Sequence, residues 1–299
     1  MDYTRQEYYL GKTTSKYLQK KTALIIGVGA LGSVAAELLA RMGINLILID
    51  RDLVEKSNLQ RQTLYTAKDI GKNKATTAQQ RLTIINPSIT ITAHNEDYTK
   101  DAVHLGKKAD IILDCTDNLF TRFIINDYCA KNKKPWVFAS AIETQGSIYP
   151  VLPKQPCFQC IFNQRQGIGT CNTLGVLNTI TTLIASIQVQ TSIDILLGKI
   201  KEPRFTYINL ANTTYKTFHV QHNKQCRTCN HHYDYLTKSL PVVSFCGTNR
   251  YQFRGTYTKK QLHETHHHPA IIQATPHRII ITAPDEQQAI KIYAETIGY

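Results

Sequence analysis

The chain has 299 residues, 42% of them hydrophobic and 19% charged, with a formal net charge of +13. That is enough chain to bury a core in one large domain or two, and the balance excludes a disordered polymer. It holds no charge-free apolar run long enough to span a membrane, and no nucleic-acid-binding module accompanies the positive charge, which therefore points to an acidic protein partner.

The first residues, Met1 to Arg5, lack the apolar core of a secretory signal, so the expected location is the cytoplasm. Residues 1–20 mix tyrosines with Arg5, Lys12, Lys16 and Lys20 and read as an amphipathic helix docked on a domain. The competing reading is that Arg5 reaches a phosphate site.

Residues 23–61 organise the rest. The apolar run Ala23 to Ile26 predicts a strand. It meets Gly27-Val28-Gly29-Ala30-Leu31-Gly32, then a helix from Ser33 to about Met42, then a second strand, Ile44 to Ile49, ending in Asp50. This is a nucleotide-binding pattern. Gly27 permits the sharp turn, Gly29 lets phosphates approach the backbone, and Gly32 lets the helix pack close on the strand. The helix N-terminus offers free N–H groups to an anion. Asp50 stands where a ribose hydroxyl can donate to it.

Alone, the pattern suits a dinucleotide dehydrogenase. The residues that follow, Arg51 and Asp52 and then Ser57-Asn58-Leu59-Gln60-Arg61-Gln62, fit a triphosphate better, because arginine makes forked hydrogen bonds to phosphate oxygens. Lys74 opens a predicted helix over 75–85, stopped by Pro87, and reads either as a solvated lysine or as a second phosphate ligand.

A strand is expected at 89–92, a short helix at 98–106 and a strand at 109–113. The last runs into Asp114-Cys115-Thr116-Asp117-Asn118. Ligands of open parallel sheets lie beyond the strands' carboxyl ends, so Asp50 and Asp117 are expected at one crevice, with Asp117 able to hold Mg²⁺. Asp117 or Asn118 reads equally as the cap of a helix over 119–131. Strands follow at 135–141 and 146–152, then a glycine-containing loop with Cys171, a buried helix over 177–198, and strands at 205–210 and 215–220.

Cys157-x-x-Cys160 and Cys226-x-x-Cys229, with 65 residues between the pairs, fit a four-sulfur zinc site. Four thiolates leave no open position, so such a zinc is structural. Cys171 lies outside the set and reads as an apolar filler or as an exposed nucleophile. Cys115, Cys129 and Cys246 lie in apolar contexts. Residues 240–299 read as a separate small α+β domain after the main domain, 1–236, with strands at 242–245 and 278–282 and helices at 259–266 and 285–297.

Taken together, Arg5-Gln6, the GVGALG turn, Asp50, the SNLQRQ segment, Lys74, DCTDN, Cys171 with Gly175-Val176, and the two cysteine pairs resemble the MoeB/ThiF group, relatives of ubiquitin-activating enzymes. The resemblance covers residues 1 to about 230. Many relatives have glycine where this chain has Ala30.

The resemblance implies a Rossmann-like, mostly parallel α/β sheet with flanking helices and a zinc-bound loop region. It implies an adenylyltransferase that uses ATP and Mg²⁺ on the C-terminal glycine of a ubiquitin-like sulfur carrier, MoaD-like or ThiS-like. A separate sulfur donor, a cysteine desulfurase or a rhodanese-type protein, then gives a thiocarboxylate for molybdenum cofactor or thiamine synthesis. In that reading Arg61 and Lys74 neutralise phosphates, Asp117 holds Mg²⁺, Asp50 binds ribose, and Asn58 and Asn118 orient the nucleotide. Arg5 acts across a homodimer, and Cys171 joins the carrier covalently in some relatives only. The competing functions are an NAD(P)-dependent oxidoreductase and a non-catalytic binder of a ubiquitin-like partner. Hydride transfer has no need of the Arg61, Lys74 and Asp117 set.

Overall fold

A computed structural model describes residues 1–162 and 175–237, and beyond them 242–244, 250–254, 257–265, 268–275, 278–284 and 286–297. The described residues through Leu236 form one unit and those from Thr237 a second.

The first unit is built on strands β1 (Thr22–Ile26), β2 (Asn45–Ile49), β3 (Ile91–His94), β4 (Ile111–Asp114), β5 (Trp136–Ile142), β6 (Gln145–Val151), β7 (Arg204–Asn209) and β8 (Thr214–His219). They form one sheet in the order β3-β2-β1-β4-β5-β6-β7-β8. The run from β3 to β5 is parallel, while β6, β7 and β8 are antiparallel.

Continuous apolar runs such as Ala23 to Ile26 suit this sheet because both of its faces are covered. Ala23 and Ile25 pack beneath helices α3 (Ala30–Arg41), α4 (Lys74–Ile85) and α7 (Asn178–Leu196). Leu24 and Ile26 pack on the other side, beneath α5 (Leu119–Asn132) and α6 (Phe158–Ile161).

The N-terminal segment is two short helices, α1 (Thr4–Leu10) and α2 (Lys12–Leu18), not one, because Gly11 between them adopts φ +79°. The segment expected as a helix at 98–106 is a 3₁₀ turn over Ala102–Lys108, and β3 begins two residues later than its apolar pattern suggested. The polar residues in α7 have a structural use. Gln188, fully buried, donates from Nε2 to the carbonyls of Asp114 (2.8 Å) and Val137 (3.0 Å) and so ties the helix to β4 and β5. Among the described residues no helix is long and apolar enough to cross a membrane.

The second unit is a four-stranded antiparallel sheet, β11-β12-β10-β9, made of β9 (Val242–Ser244), β10 (Arg250–Arg254), β11 (Ile271–Thr275) and β12 (Arg278–Thr282). It carries helices α8 (Lys259–Thr265) and α9 (Glu286–Ile297) around a core of Phe253, Ile279, Ile281, Ala289 and Ile297. Phe253 stacks on Tyr293 with ring centroids 4.1 Å apart.

In the first unit the chain passes from β1 out to β2 and β3 and then returns to the other side of β1 as β4. The loops after β1, β2 and β4 therefore splay apart at one carboxyl edge. Such a reversal opens the crevice where ligands of this architecture bind.

Candidate active site

The turn after β1 is forced by two contacts. Gly27 has φ +86°, and a Cβ there would lie 2.7 Å from the carbonyl oxygen of Cys115. A Cβ on Gly32 would lie 1.9 Å from the carbonyl of Gly27, so only glycine lets the helix start this close to the strand. Helix α3 begins at Ala30, three residues earlier than its sequence pattern suggested, and among the described residues no side chain caps it. Its first N–H groups and the positive end of its dipole face the crevice.

Asp50 follows β2 and buttresses this turn. Its Oδ2 accepts from the Val28 N–H (2.7 Å) and its Oδ1 from the Asp52 N–H (2.8 Å). Burial pushes its pKa up to about 6, against the pull of Lys74.

The neighbouring segment is stitched to the start of α4. The Lys74 N–H donates to the Asp52 carbonyl (2.9 Å), and the Lys74 Nζ lies 3.2 Å from Asp52 Oδ2. Lys74 has only 8% of its side chain exposed. Burial works against its charge, yet Asp50, Asp52 and Asp117 hold the ammonium above the ordinary lysine range. Burial likewise opposes ionisation of Asp52, but Lys74 and Arg51 beside it keep its carboxyl below the usual value.

Asp117, after β4, is open to solvent at the crevice mouth but ringed by protein. That surrounding, reinforced by Asp52, raises its pKa, with Arg122 and Arg51 pulling the other way. Lys74 thus lies within electrostatic reach of Asp50, Asp52 and Asp117, and Asp52 within reach of both other carboxyls.

The SNLQRQ segment is a tight turn. Asn58, buried, accepts from the Glu55 N–H through Oδ1 (3.1 Å) and closes a 3₁₀ capping box. Its carbonyl accepts from the N–H of Arg61 (3.1 Å) and of Gln62 (3.0 Å). Arg61 is partly exposed, and its Nη1 donates to the Ser57 carbonyl (2.9 Å). Among the described residues no carboxylate pairs with it. Ser57 and Gln60 are exposed on the same turn.

Asn118 caps α5, with Oδ1 accepting from the Thr121 N–H at 2.8 Å. Arg5 is exposed on α1, and Cys171 and Cys246 lie outside the described residues.

Two residues that hold the site, Tyr65 and Arg122, were not singled out from the sequence, and a third, Gln62, was read only as part of the SNLQRQ segment. Tyr65 is buried and donates to the Val28 carbonyl (2.8 Å), which belongs to the glycine turn. Arg122 is buried, donates to Asp114 (3.0 Å) and to the Thr116 carbonyl (2.7 Å), and so shapes the DCTDN loop. Gln62 places its Nε2 3.6 Å from where a Gly29 Cβ would stand, and among the described residues its buried Oε1 has no hydrogen-bond partner. Arginine i+8 from a buried strand-end aspartate, as in Asp114 and Arg122, is a signal that patterning could have used. Tyr65 left none.

The four cysteines also meet. Cys157, Cys160, Cys226 and Cys229 place their Sγ atoms within 4.8 Å of one another. Sγ distances of 3.5 Å (Cys157–Cys226, Cys160–Cys229, Cys157–Cys229) and 4.0 Å (Cys157–Cys160) match the ~3.8 Å edge of a tetrahedron with Zn–S bonds of about 2.3 Å. A support shell surrounds them. Asn126 on α5 donates to the Thr228 hydroxyl (3.2 Å), which in turn donates to Asp127 (2.6 Å), and Gln159 accepts from the Thr228 N–H (3.0 Å). The donor set fits a closed four-sulfur zinc site.

The sulfur carrier protein ThiS adenylyltransferase of Bacillus subtilis (strain 168) is 34% identical over 278 residues, 86% of this chain and 81% of that protein. The enzyme of the same name from Escherichia coli (strain K12) is 40% identical over 183 residues, 58% of this chain and 72% of its own length. The adenylyltransferase and sulfurtransferase MOCS3 of Drosophila virilis is 32% identical over 242 residues, and this chain spans about half of it, 53%. The crystal structure of E. coli MccB with ATP shares the fold, with a TM-score of 0.65 at 21% identity, over 76% of this chain and 74% of that one. The ThiF family model matches residues 3–228, the glycine turn, the aspartates, Lys74 and three of the four cysteines among them, and the chain belongs to the ThiF family.

Proposed function

We propose that this chain uses ATP to adenylylate the C-terminal glycine of a ubiquitin-like sulfur carrier, preparing it for thiocarboxylate formation by a separate sulfur donor. The observation that carries the reading is the meeting of Asp50, Asp52, Lys74 and Asp117 beside an uncapped helix N-terminus, in a chain whose relatives are named carrier adenylyltransferases.

The carrier's terminal carboxylate attacks the α-phosphorus, the bond from that phosphorus to the bridging oxygen breaks, and pyrophosphate leaves with the charge. No side chain forms a covalent bond in this step, so catalysis is positioning and charge stabilisation. The glycine turn and the start of α3 receive phosphate oxygens, and Arg61 and Lys74 neutralise the departing pyrophosphate. Asp50 accepts from a ribose hydroxyl. Gln62, beside Gly29, offers an amide to the same region. Asp117 is the carboxylate placed to hold Mg²⁺, which would supply further charge neutralisation.

Arg5 fits a role across a homodimer. Gln6, its neighbour, donates to the Met42 carbonyl at the far end of α3. Twelve helical residues rise about 18 Å, so the chain's own glycine turn lies beyond reach of Arg5. The cysteine cluster would hold a structural zinc.

ATP–pyrophosphate exchange with each candidate carrier tests the function. Label should pass from pyrophosphate into ATP only when a carrier with a free C-terminal glycine is present. Absence of exchange with every MoaD-like and ThiS-like carrier overturns the assignment.

The pH dependence tests Asp50. Its pKa of about 6 lies above the ordinary aspartate value of roughly 3.9, so the folded chain holds an extra proton between those values. Stability on this account falls as pH rises through that window. A ribose hydroxyl needs the ionised acceptor, so ATP affinity should rise over the same window and level off above it. Asp50→Asn should flatten that rise. Affinity that is constant from pH 5 to 8 in the unaltered protein removes Asp50 from the ribose.

A further inference from the structure

Arg51 has no place in the mechanism above, yet it stands in the middle of the site's charges. Only 14% of its side chain is exposed. Its Nη1 lies 2.8 Å from Asp97 Oδ1, in the segment after β3, and its Nε lies 3.5 Å from Asp52 Oδ1. The other oxygen of Asp52 receives Lys74 at 3.2 Å. One carboxylate, 45% exposed, is therefore shared by a buried lysine and a largely covered arginine, one on each oxygen.

This sharing has a consequence for an incoming triphosphate. Lys74 is committed to Asp52, and phosphate must compete for it. A lysine that turns away would leave Asp52 charged beside a highly negative ligand. That arrangement is costly unless another cation stays behind. Arg51 is anchored by Asp97 and does not have to move. A guanidinium with several fixed donors can serve two carboxylates at once, as a single ammonium cannot do as well.

We infer that Arg51 is the counter-charge that lets Lys74 leave Asp52 for a nucleoside triphosphate. It is a positioning residue, acting through Asp52 and Lys74. The inference rests on the nucleotide reading of this crevice. The influence of Arg51 on Asp117 is consistent with the same role.

The test is equilibrium binding by calorimetry on the full chain, with ATP plus Mg²⁺ as one probe and adenosine as the other. R51Q should weaken ATP about tenfold or more, the scale of losing one partner of a shared ion pair, and leave adenosine unchanged, because adenosine draws no lysine. R51K should restore ATP binding in part. R51Q combined with D52N should recover most of the loss, since Lys74 then has no carboxylate holding it back there.

If R51Q binds ATP as well as the unaltered protein does, the inference fails. It also fails if ATP and adenosine weaken equally, which would make Arg51 a structural strut, or if the double variant stays as weak as the single one. Should R51Q not fold, R51K carries the test: ATP should bind more weakly than to the unaltered protein while adenosine does not, and ATP binding at full strength there overturns the inference. Failure of the unaltered protein to bind ATP is a different result, which removes the function itself.

Discussion

Arg61→Ala should abolish ATP–pyrophosphate exchange, by at least about 10³-fold, the lower range for removing an arginine that stabilises phosphoryl-transfer charge. The expectation comes from what Arg61 does and does not touch. Its Nη1 donates to the carbonyl of Ser57, on an exposed stretch of its own turn. Among the described residues it has no carboxylate partner, in contrast to Lys74 on Asp52 and Arg122 on Asp114. Its charge is therefore not spent on the fold, and its loss should change stability by no more than about 0.5 kcal/mol, as for other surface substitutions.

The turn itself should survive, because Asn58 builds it, accepting from Glu55, Arg61 and Gln62 through side chain and backbone. A melting curve and a far-UV spectrum like those of the unaltered protein, together with lost exchange, are the expected pair of results. Arg61→Lys should recover only a small part, since an ammonium cannot reproduce forked contacts to phosphate. Exchange near the unaltered rate in Arg61→Ala would end the assignment of this arginine to the leaving pyrophosphate.

Lys74 offers the contrast that explains why some of the site was legible in the sequence and some was not. The glycine turn could be read because each glycine answers a local steric demand, as the Gly27–Cys115 and Gly32–Gly27 approaches show. The two strand-end aspartates could be read because a parallel sheet puts all its carboxyl ends on one edge. What Lys74 does could not be read from its own neighbourhood. Its attachment to Asp52 spans 22 residues and depends on the pairing of 53–54 with 72–73.

Asn118 shows the opposite limit. Its sequence context allowed a cap or a ligand, and the structure places it as the cap of α5. Strand β11 escaped notice because Ile271 to Thr275 alternates weakly, although it pairs with β12 as a local hairpin, and β10, Arg250 to Arg254, because it is short and its pairing with β12 is non-local. Tyr65 and Gln188 were invisible for a similar reason. Each satisfies carbonyls far away in the chain, and only the fold says which.

The largest effect on stability should come from the cysteine cluster. Purified protein should carry one zinc per chain by elemental analysis, and Cys226→Ser, or stripping with a strong chelator, should cost on the order of 10 kcal/mol, the scale seen for small structural zinc sites. That is comparable with the whole net stability of an ordinary domain, about 5–15 kcal/mol, so the first unit should lose cooperative folding or melt tens of degrees lower.

The reason lies in what the cluster joins. One pair follows β6 and the other follows β8, and Cys157 and Cys226 are each almost fully buried. Four buried or half-buried thiols at 3.5–4.0 Å have little reason to converge for hydrogen bonding alone, because thiols are weak donors and acceptors. Bound as thiolates they become one rigid knot.

That knot is wired to the crevice through α5. Asn126 and Asp127, which hold Thr228 between the two sulfurs of the second pair, sit on the same helix whose cap is Asn118 and whose first turns carry Arg122. Metal loss should therefore loosen the DCTDN loop as well as the knot, and partial stripping should lower exchange in step with the zinc lost. Unchanged melting and no metal in the purified protein would reduce the cluster to four neighbouring thiols and leave α5 to stand on its aromatic packing against Phe158 and Tyr235.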